Sequence, residues 1–336
     1  MTSRYVELHA ASAFSFLEGG SSPEAMAKRA VELEMPAMAL LDRNGFYGSA
    51  RFHKSTSENG VKPHVGAEVS VSSFGTRLTP PLWMPHQHLV EPARLSLLCE
   101  TREGYQNLCQ LITRYKMRER TKVEGAANEA ELAEYASGLI CLTGGDEGPL
   151  ASALARGGED AGREVVERLV RIFGPNNVYV ELQRHREREE EWRNQTAIRI
   201  AESIKLPILA TNGVRYATRY DREVLDLFTA IRNHTELDRA GRLLNLNNQR
   251  HLRDARKMVA LFRDIPGATD NTVELSARLG FQLSILDISF RVTPFPKAKR
   301  WRASCVSVWT KESSAVTGRS EMPFCWRKRR SRLSTS

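Results

Sequence analysis

The stretch ELHAASAFSFLEGG, residues 7–20, places His9 at the end of an apolar run and Glu18 nine residues later, just before a glycine pair. A third candidate, Glu68, stands in VGAEV. Imidazole and carboxylate groups suit zinc, manganese or magnesium, so these three side chains can belong to a metal site. They fit equally a hydrogen-bonded histidine at a strand end and two surface carboxylates. The chain's one H-x-H pattern, His86 and His88, lies in the proline-flanked MPHQHLVEP and reads as an exposed loop. His53, His64, His185, His234 and His251 have no partner at ligand spacing and read as surface or hydrogen-bonded groups. The patterns G-x-x-x-x-G-K-[ST], G-x-G-x-x-G and G-x-S-x-G are absent, so the usual nucleotide and acyl chemistries find no support.

The elements that must position these residues alternate short apolar strands with amphipathic helices, the pattern of an α/β domain whose parallel strands are covered by helices. SRYVELHA opens as a strand, and AMALLD, KPHVGAEVSV, RLSLLCE, GLICLTGG, VYVELQR and LPILATN are further strands. SSPEAMAKRAVELEM reads as a helix with a serine cap and Pro23 in its first turn. EGYQNLCQLITRYKMR is another, with Leu108, Leu111, Ile112 and Tyr115 on one face. The count fits a closed or nearly closed β/α barrel, in which the loops after the strand carboxyl ends carry the chemistry. His9, Asp42, Glu68, Gly145 and Asn212 fall at or near those ends. Beyond residue 235 the pattern turns helical, in NQRHLRDARKMVALFRDIP and ATDNTVELSARLGF. The run QRHREREEEWRNQ reads as a solvated helix start.

A length of 336 residues with 41% apolar side chains accommodates one large domain plus an appendage, or two domains. No apolar run reaches the roughly 18 residues of a membrane span, and MTSRYVEL lacks the core of a signal peptide, so a cytoplasmic protein with no membrane partner is expected. Cys99, Cys109, Cys141, Cys305 and Cys325 form no C-x-x-C pair and read as reduced, mostly buried thiols. The net charge of +9 is concentrated in one segment. Residues 291–336 carry 12 Lys and Arg against 2 Asp and Glu, leaving 37 against 38, a net of −1, in the rest. That segment also holds Trp301, Trp309 and Trp326 and shows no legible fold. Its RKRRSR suits an arm for nucleic-acid phosphates. The favoured expectation is a non-native end, read in a shifted frame from about Phe290.

Taken in order, YVELHAASAFSFLEGGSSPE, MALLDRNGFYGSARFH, GVKPHVGAEVSV, LSLLCETREGYQNLCQLI, GLICLTGGDEG, VYVELQRH and LPILATNGVRYAT resemble the N-terminal polymerase-and-histidinol-phosphatase (PHP) domain of bacterial C-family DNA polymerase α subunits. The resemblance covers residues 4–288, and ELHAASAFSFLEG is closer to the error-prone, damage-tolerant branch than to the main replicative subunit. It implies a distorted (β/α)7 barrel of PHP type over residues 1–235, a short helical segment over 236–290 leading toward an absent polymerase palm, and an unstructured basic tail over 291–336.

The resemblance also implies nine metal-ligand positions, which fall here on His9, Ala11, Glu18, Arg43, Glu68, Arg94, Gly145, Gly213 and Arg215. Only His9, Glu18 and Glu68 keep ligating groups. Arginine neither deprotonates nor ligates a cation, so a degenerate remnant without a catalytic metal cluster is expected. Arg43, Arg94 and Arg215 are expected to pair with Glu18 and Glu68, or to offer a phosphate-accepting pocket. No cofactor is expected on this chain. In the full-length family, palm aspartates and Mg2+ perform nucleotidyl transfer, and the implied partners are DNA, the sliding clamp and accessory lesion-bypass proteins. The expected reading is a monomeric N-terminal fragment of an error-prone DNA polymerase of translesion synthesis and DNA repair, with no polymerase active site of its own. One alternative is a stand-alone PHP phosphoesterase or exonuclease using His9, Glu18 and Glu68, with His86 or His88. The other is a non-catalytic DNA-binding scaffold acting through the basic tail.

Overall fold

Six of the apolar runs form strands: β1 (Ala37–Arg43), β2 (Lys62–Thr79), β3 (Leu89–Cys99), β4 (Leu139–Leu142), β5 (Val178–Gln183) and β6 (Ile208–Thr211). The computed structural model describes residues 5–79, 89–118 and 125–283. His86, His88, Cys305, Cys325 and the whole segment 291–336 lie outside them.

The strands hydrogen-bond in sequence order. β1 and β2, β4 and β5, and β5 and β6 pair in parallel, whereas β3 runs antiparallel to both β2 and β4. The wholly parallel sheet expected from the pattern is thus corrected at β3. The nine residues between β2 and β3 are fewer than the dozen or so that a parallel crossover needs, in keeping with the antiparallel pairing.

The opening segment is bound on both sides. Ala39 N donates to Glu7 O at 2.9 Å and Leu41 N to Ala10 O at 2.7 Å; opposite, Ala11 N donates to Val214 O and Val214 N to His9 O, each at 2.9 Å. It bridges β1 and the run after β6, so seven strand segments close into a ring. The first of these is a pair of isolated bridges, not a regular strand.

Ten helices are described: α1 (Pro23–Glu32), α2 (Ser49–Ser57), α3 (Arg102–Arg118), α4 (Glu129–Glu134), α5 (Pro149–Phe173), α6 (Arg188–Ile204), α7 (Arg222–Arg232), α8 (Leu237–Ala240), α9 (Ala255–Leu261) and α10 (Pro266–Arg278). Ser22 caps α1 by accepting from Ala25 N, and α1 buries Met26, Ala27 and Ala30. α3 buries the expected face of Leu108, Leu111, Ile112 and Tyr115. The first late helix is shorter than its sequence pattern suggests. Asp254 caps α9, and the run before it forms a bridge between His251 and Tyr216.

Successive strand residues face opposite sides. On one side Leu98, Ile140, Leu142, Tyr179 and Leu209 cluster with Val6, Leu8, Leu275 of α10 and Leu279 just after it. α10 is tied to the strand starts: Val6 N donates to Thr272 Oγ1 at 3.0 Å, and His64 Nε2 lies 2.7 Å from Ser276 Oγ. The same alternation, followed toward the opposite end of the ring, gives Glu68, Arg94, Ser96, Glu181, Gln183 and Thr211. The interior is therefore apolar at the end that α10 closes and polar at the other. Cys99 and Cys141 are buried and Cys109 partly so, all as free thiols. No helix among the described residues is long and apolar enough to cross a membrane. Residues Met1–Leu286 form one compact unit.

Candidate functional site

The polar end is shaped first by Asp42. Its carboxylate accepts Ser12 N at 2.9 Å, Ser12 Oγ at 2.8 Å, Ser15 Oγ at 3.0 Å and Gly48 N at 2.7 Å. It thereby fixes the loop that turns Glu18 inward. Glu18 is only 6% exposed, which excludes the surface carboxylate of the simpler reading. Arg94 holds it with two parallel bonds, Nη1 to Oε2 and Nη2 to Oε1, each 2.9 Å. Arg43 Nη1 donates to Glu18 Oε1, as does Arg232 Nη1, at 2.7 Å, from the end of α7. Burial pushes the Glu18 carboxyl up, but the charges of Arg94, Arg43, Arg215 and Arg232 outweigh it and hold it below the ordinary value.

His9 and Glu68 form the other half. His9 Nδ1 lies 2.6 Å from Glu181 Oε1, and Nε2 lies 3.3 Å from Glu68 Oε1. Burial disfavours the charged ring, yet the two carboxylates raise its pKa to about 10. His9 is therefore an imidazolium at neutral pH, and an imidazolium carries N–H on both nitrogens with no lone pair for a metal. Arg215 Nη1 and Nη2 stand 3.5 and 3.4 Å from Glu68, and Nη2 stands 3.3 Å from Glu147. Arg94 Nη1 joins the halves, 2.6 Å from Glu147 and 3.8 Å from Glu68. Burial raises the Glu68 carboxyl, but Arg215, the His9 bond and Arg94 bring it well below the usual carboxylate range.

Two expected ligand positions are glycines, and a third side chain fills their space. A Cβ on Gly145 would sit 2.5 Å from Gln183 Oε1, and one on Gly213 would sit 2.6 Å from Gln183 Nε2. Gln183 Nε2 donates to Glu181 Oε1 at 2.8 Å. Ala11 is buried and contributes a methyl group and its ring-closing backbone bond. The chamber lined by His9, Glu68, Gln183 and Arg215 has a cavity of about 10 Å3, the room of a single water. Among the described residues, no three His, Cys, Asp or Glu side chains are disposed to hold a metal ion. The residues present do not fit the cations that the family resemblance implies, because guanidinium and imidazolium charges already satisfy the carboxylates. Beside the chamber opens a cleft of about 140 Å3 lined by Arg94, Arg215, Arg232, Arg250 and Glu147. Each of these arginines is ion-paired, Arg250 with Asp146 at 2.9 Å.

The structure gathers Glu18, Glu68, His9, Arg43, Arg94 and Arg215 in one cluster. It adds Glu147, Glu181, Gln183, Arg232 and Arg250, which the sequence reading missed. Glu181 and Gln183 had a signal, being polar residues in VYVELQ, whose neighbours call for full burial. Arg232 and Arg250 had none. Asn212 serves the backbone, donating to Gln249 O at 2.8 Å and His251 O at 2.7 Å. The run QRHREREEEWRNQ is only partly the solvated helix start expected. His185 and Glu190 are buried there as a pair 2.7 Å apart, which fixes the entry to α6.

A mixed sheet closed into a ring, with its polar cluster at one end, has a counterpart among known families. The PHP domain family matches residues 7–185, and the chain belongs to that family. It is 33% identical over 292 residues to an error-prone DNA polymerase of Mycolicibacterium paratuberculosis, covering 87% of this chain and 26% of that protein. It is 34% identical over 290 residues to an error-prone DNA polymerase of Anaeromyxobacter dehalogenans, covering 83% and 23%. With DNA polymerase III subunit alpha of Vibrio cholerae the identity is 32% over 280 residues, covering 82% and 23%. The chain spans about a quarter of the length of these curated relatives.

Proposed function

We propose that this chain is the N-terminal region of an error-prone DNA polymerase of the bacterial C family, and that its PHP domain is a scaffold held by ion pairs, not a metal-dependent hydrolase. The observation that carries the scaffold reading is Arg94, whose guanidinium lies among Glu18, Glu147 and Glu68 as a cation supplied by the chain itself. Metal-assisted hydrolysis needs an open coordination position and a water of lowered pKa. Here the carboxylate lone pairs are taken by guanidinium N–H groups. On this reading residues 1–235 are the PHP domain and 236–290 lead toward a palm whose aspartates and Mg2+ perform nucleotidyl transfer on DNA. Translesion synthesis and repair in the cytoplasm, with a sliding clamp and accessory lesion-bypass proteins, are the roles that the likeness to error-prone polymerases supports. The segment 291–336 is read as a shifted-frame end.

Two experiments test the two halves. Protein purified without chelator and then supplied with zinc or manganese is expected to hold sub-stoichiometric metal and to show no phosphatase or exonuclease activity. Stoichiometric metal with hydrolysis, both lost in His9→Ala, would favour the stand-alone phosphoesterase instead. Genomic DNA across the codons for residues 285–336 is expected to continue, in another frame, into palm-encoding sequence. Unrelated sequence there would remove the polymerase reading and leave the scaffold result standing.

A further inference from the structure

Away from the charge cluster, a pocket of about 170 Å3 is lined by Arg29 of α1, the turn at Arg219 and Tyr220, the run from His251 to Asp254, and Lys257 of α9. The parallel bridge between Tyr216 and His251 brings these pieces together, and Thr218 caps the 219–221 turn. Four cationic side chains, Arg29, Arg219, Arg253 and Lys257, line it against the single carboxylate of Asp254, a local net of +3. Residues 1–290 as a whole sum to −1, so this concentration of charge is local. The Lys257–Asp254 and Arg29–Glu32 pairs are substantially exposed, where ion pairs contribute little.

Arg253 is the informative member. It is 6% exposed, yet its hydrogen-bond partner is the neutral Gln249 Oε1 at 2.5 Å, and it forms no ion pair among the described residues. Burial and the Arg186 charge pull it below the ordinary guanidinium value and outweigh the opposing pull of Tyr5, Glu7 and Glu190, whereas at Arg215 and Arg250 burial is outweighed by Glu68 and by Asp146. A buried guanidinium with no carboxylate at ion-pair distance is costly, and an anion in the adjoining pocket supplies a close counter-charge. Tyr220, next to Arg219 in the wall, is 80% exposed. A cationic groove beside an exposed aromatic ring is the arrangement that holds single strands, phosphate in the groove and base on the ring. The volume of about 170 Å3 compares with the roughly 10–15 Å3 that admits one water on the same measure, and is enough for a phosphodiester group.

We propose that this pocket binds a backbone phosphate of single-stranded DNA, with the adjacent base stacked on Tyr220. The choice of DNA as partner rests on the polymerase reading. The experiment uses the full chain and an oligothymidylate carrying 5-iododeoxyuridine, which is cross-linked by light and mapped by mass spectrometry. The expected adduct lies on Tyr220, and Tyr220→Ala weakens binding about tenfold by fluorescence anisotropy. Arg219→Ala and Lys257→Ala are each expected to lower the slope of log affinity against log salt by about one. Adducts confined to Trp301, Trp309 and Trp326, with unchanged salt slopes in these variants, would overturn the proposal. So would binding to phosphatidylserine vesicles that the same variants abolish, with no adduct at Tyr220; the pocket would then face a lipid surface. Neither outcome alters the genomic test of the polymerase reading, so the two can fail separately.

Discussion

Arg94 is a single side chain on which Glu18, Glu147 and Glu68 all depend. Removing one partner of a buried pair costs about 3–5 kcal/mol because the remaining charges stay buried. Arg94→Ala should therefore lose about that much in urea unfolding, and Arg94→Lys should recover only part, since an ammonium cannot hold a carboxylate with two parallel bonds. If the guanidinium stands in for a cation, manganese should raise the midpoint of Arg94→Ala and leave the parent unchanged. The titration of this region has a definite sign. His9 has a folded pKa of about 10 against an ordinary 6.5, so its contribution is complete below 6.5 and is lost as pH rises through 10. Glu7, raised by burial from 4.5 to about 7, acts in the same direction, complete below 4.5 and lost as pH rises through 7. Glu18, Glu68 and Glu181 are held low, so their contributions are present above the ordinary carboxylate value and are lost as pH falls through the lowered ones. The thermal midpoint should fall between pH 7 and 10, and His9→Gln should flatten that fall. A parent midpoint that is level across this window would show His9 to be neutral.

Elements decide which of these groups meet. β5 carries Glu181 and Gln183 on one face, and the turns after β4 and β6 supply Gly145 and Gly213, whose missing side chains leave space for the Gln183 carboxamide. Gly145→Ala should cost about 1–3 kcal/mol through overpacking. The same change in a Gln183→Ala background should cost distinctly less, giving a coupling above about 0.5 kcal/mol in a double-mutant cycle. Additive losses would mean that the carboxamide simply swings away. At the opposite end α10 inserts Leu275 into the apolar interior, with Leu279 following at its C-terminal cap, and Leu275→Ala should lose about 2–5 kcal/mol in chemical denaturation. Strand and helix positions were largely legible beforehand, because period-2 and period-3.6 apolar patterns report burial directly. The reversal of β3 was not, since an apolar run has the same composition in either direction. The fate of YVELHA, bonded on both sides yet too irregular for a strand, was also closed to sequence reading.

For the whole molecule, the compact unit ends at Leu286, so a chain stopped after that residue should unfold in one transition at the midpoint of the full chain. A lower midpoint or a broadened transition would show that later residues support the body. The residue sequence by itself determined the alternation of strands and helices, the burial face of α3 and the confinement of excess positive charge to residues 291–336. These are properties of local pattern and residue chemistry, which no packing can alter. Only the tertiary structure decided which charged groups meet at the polar end of the ring. Arg232 and Arg94 lie 138 residues apart and share Glu18, and His9 meets Glu181 across 172 residues. Such meetings are set by how the ring closes, and no spacing along the chain encodes them. The same holds for the pairing of every arginine in the cleft and for the buried Arg253 left without one: charge is written in the sequence, but its neutralisation depends on which groups the fold brings within hydrogen-bond reach.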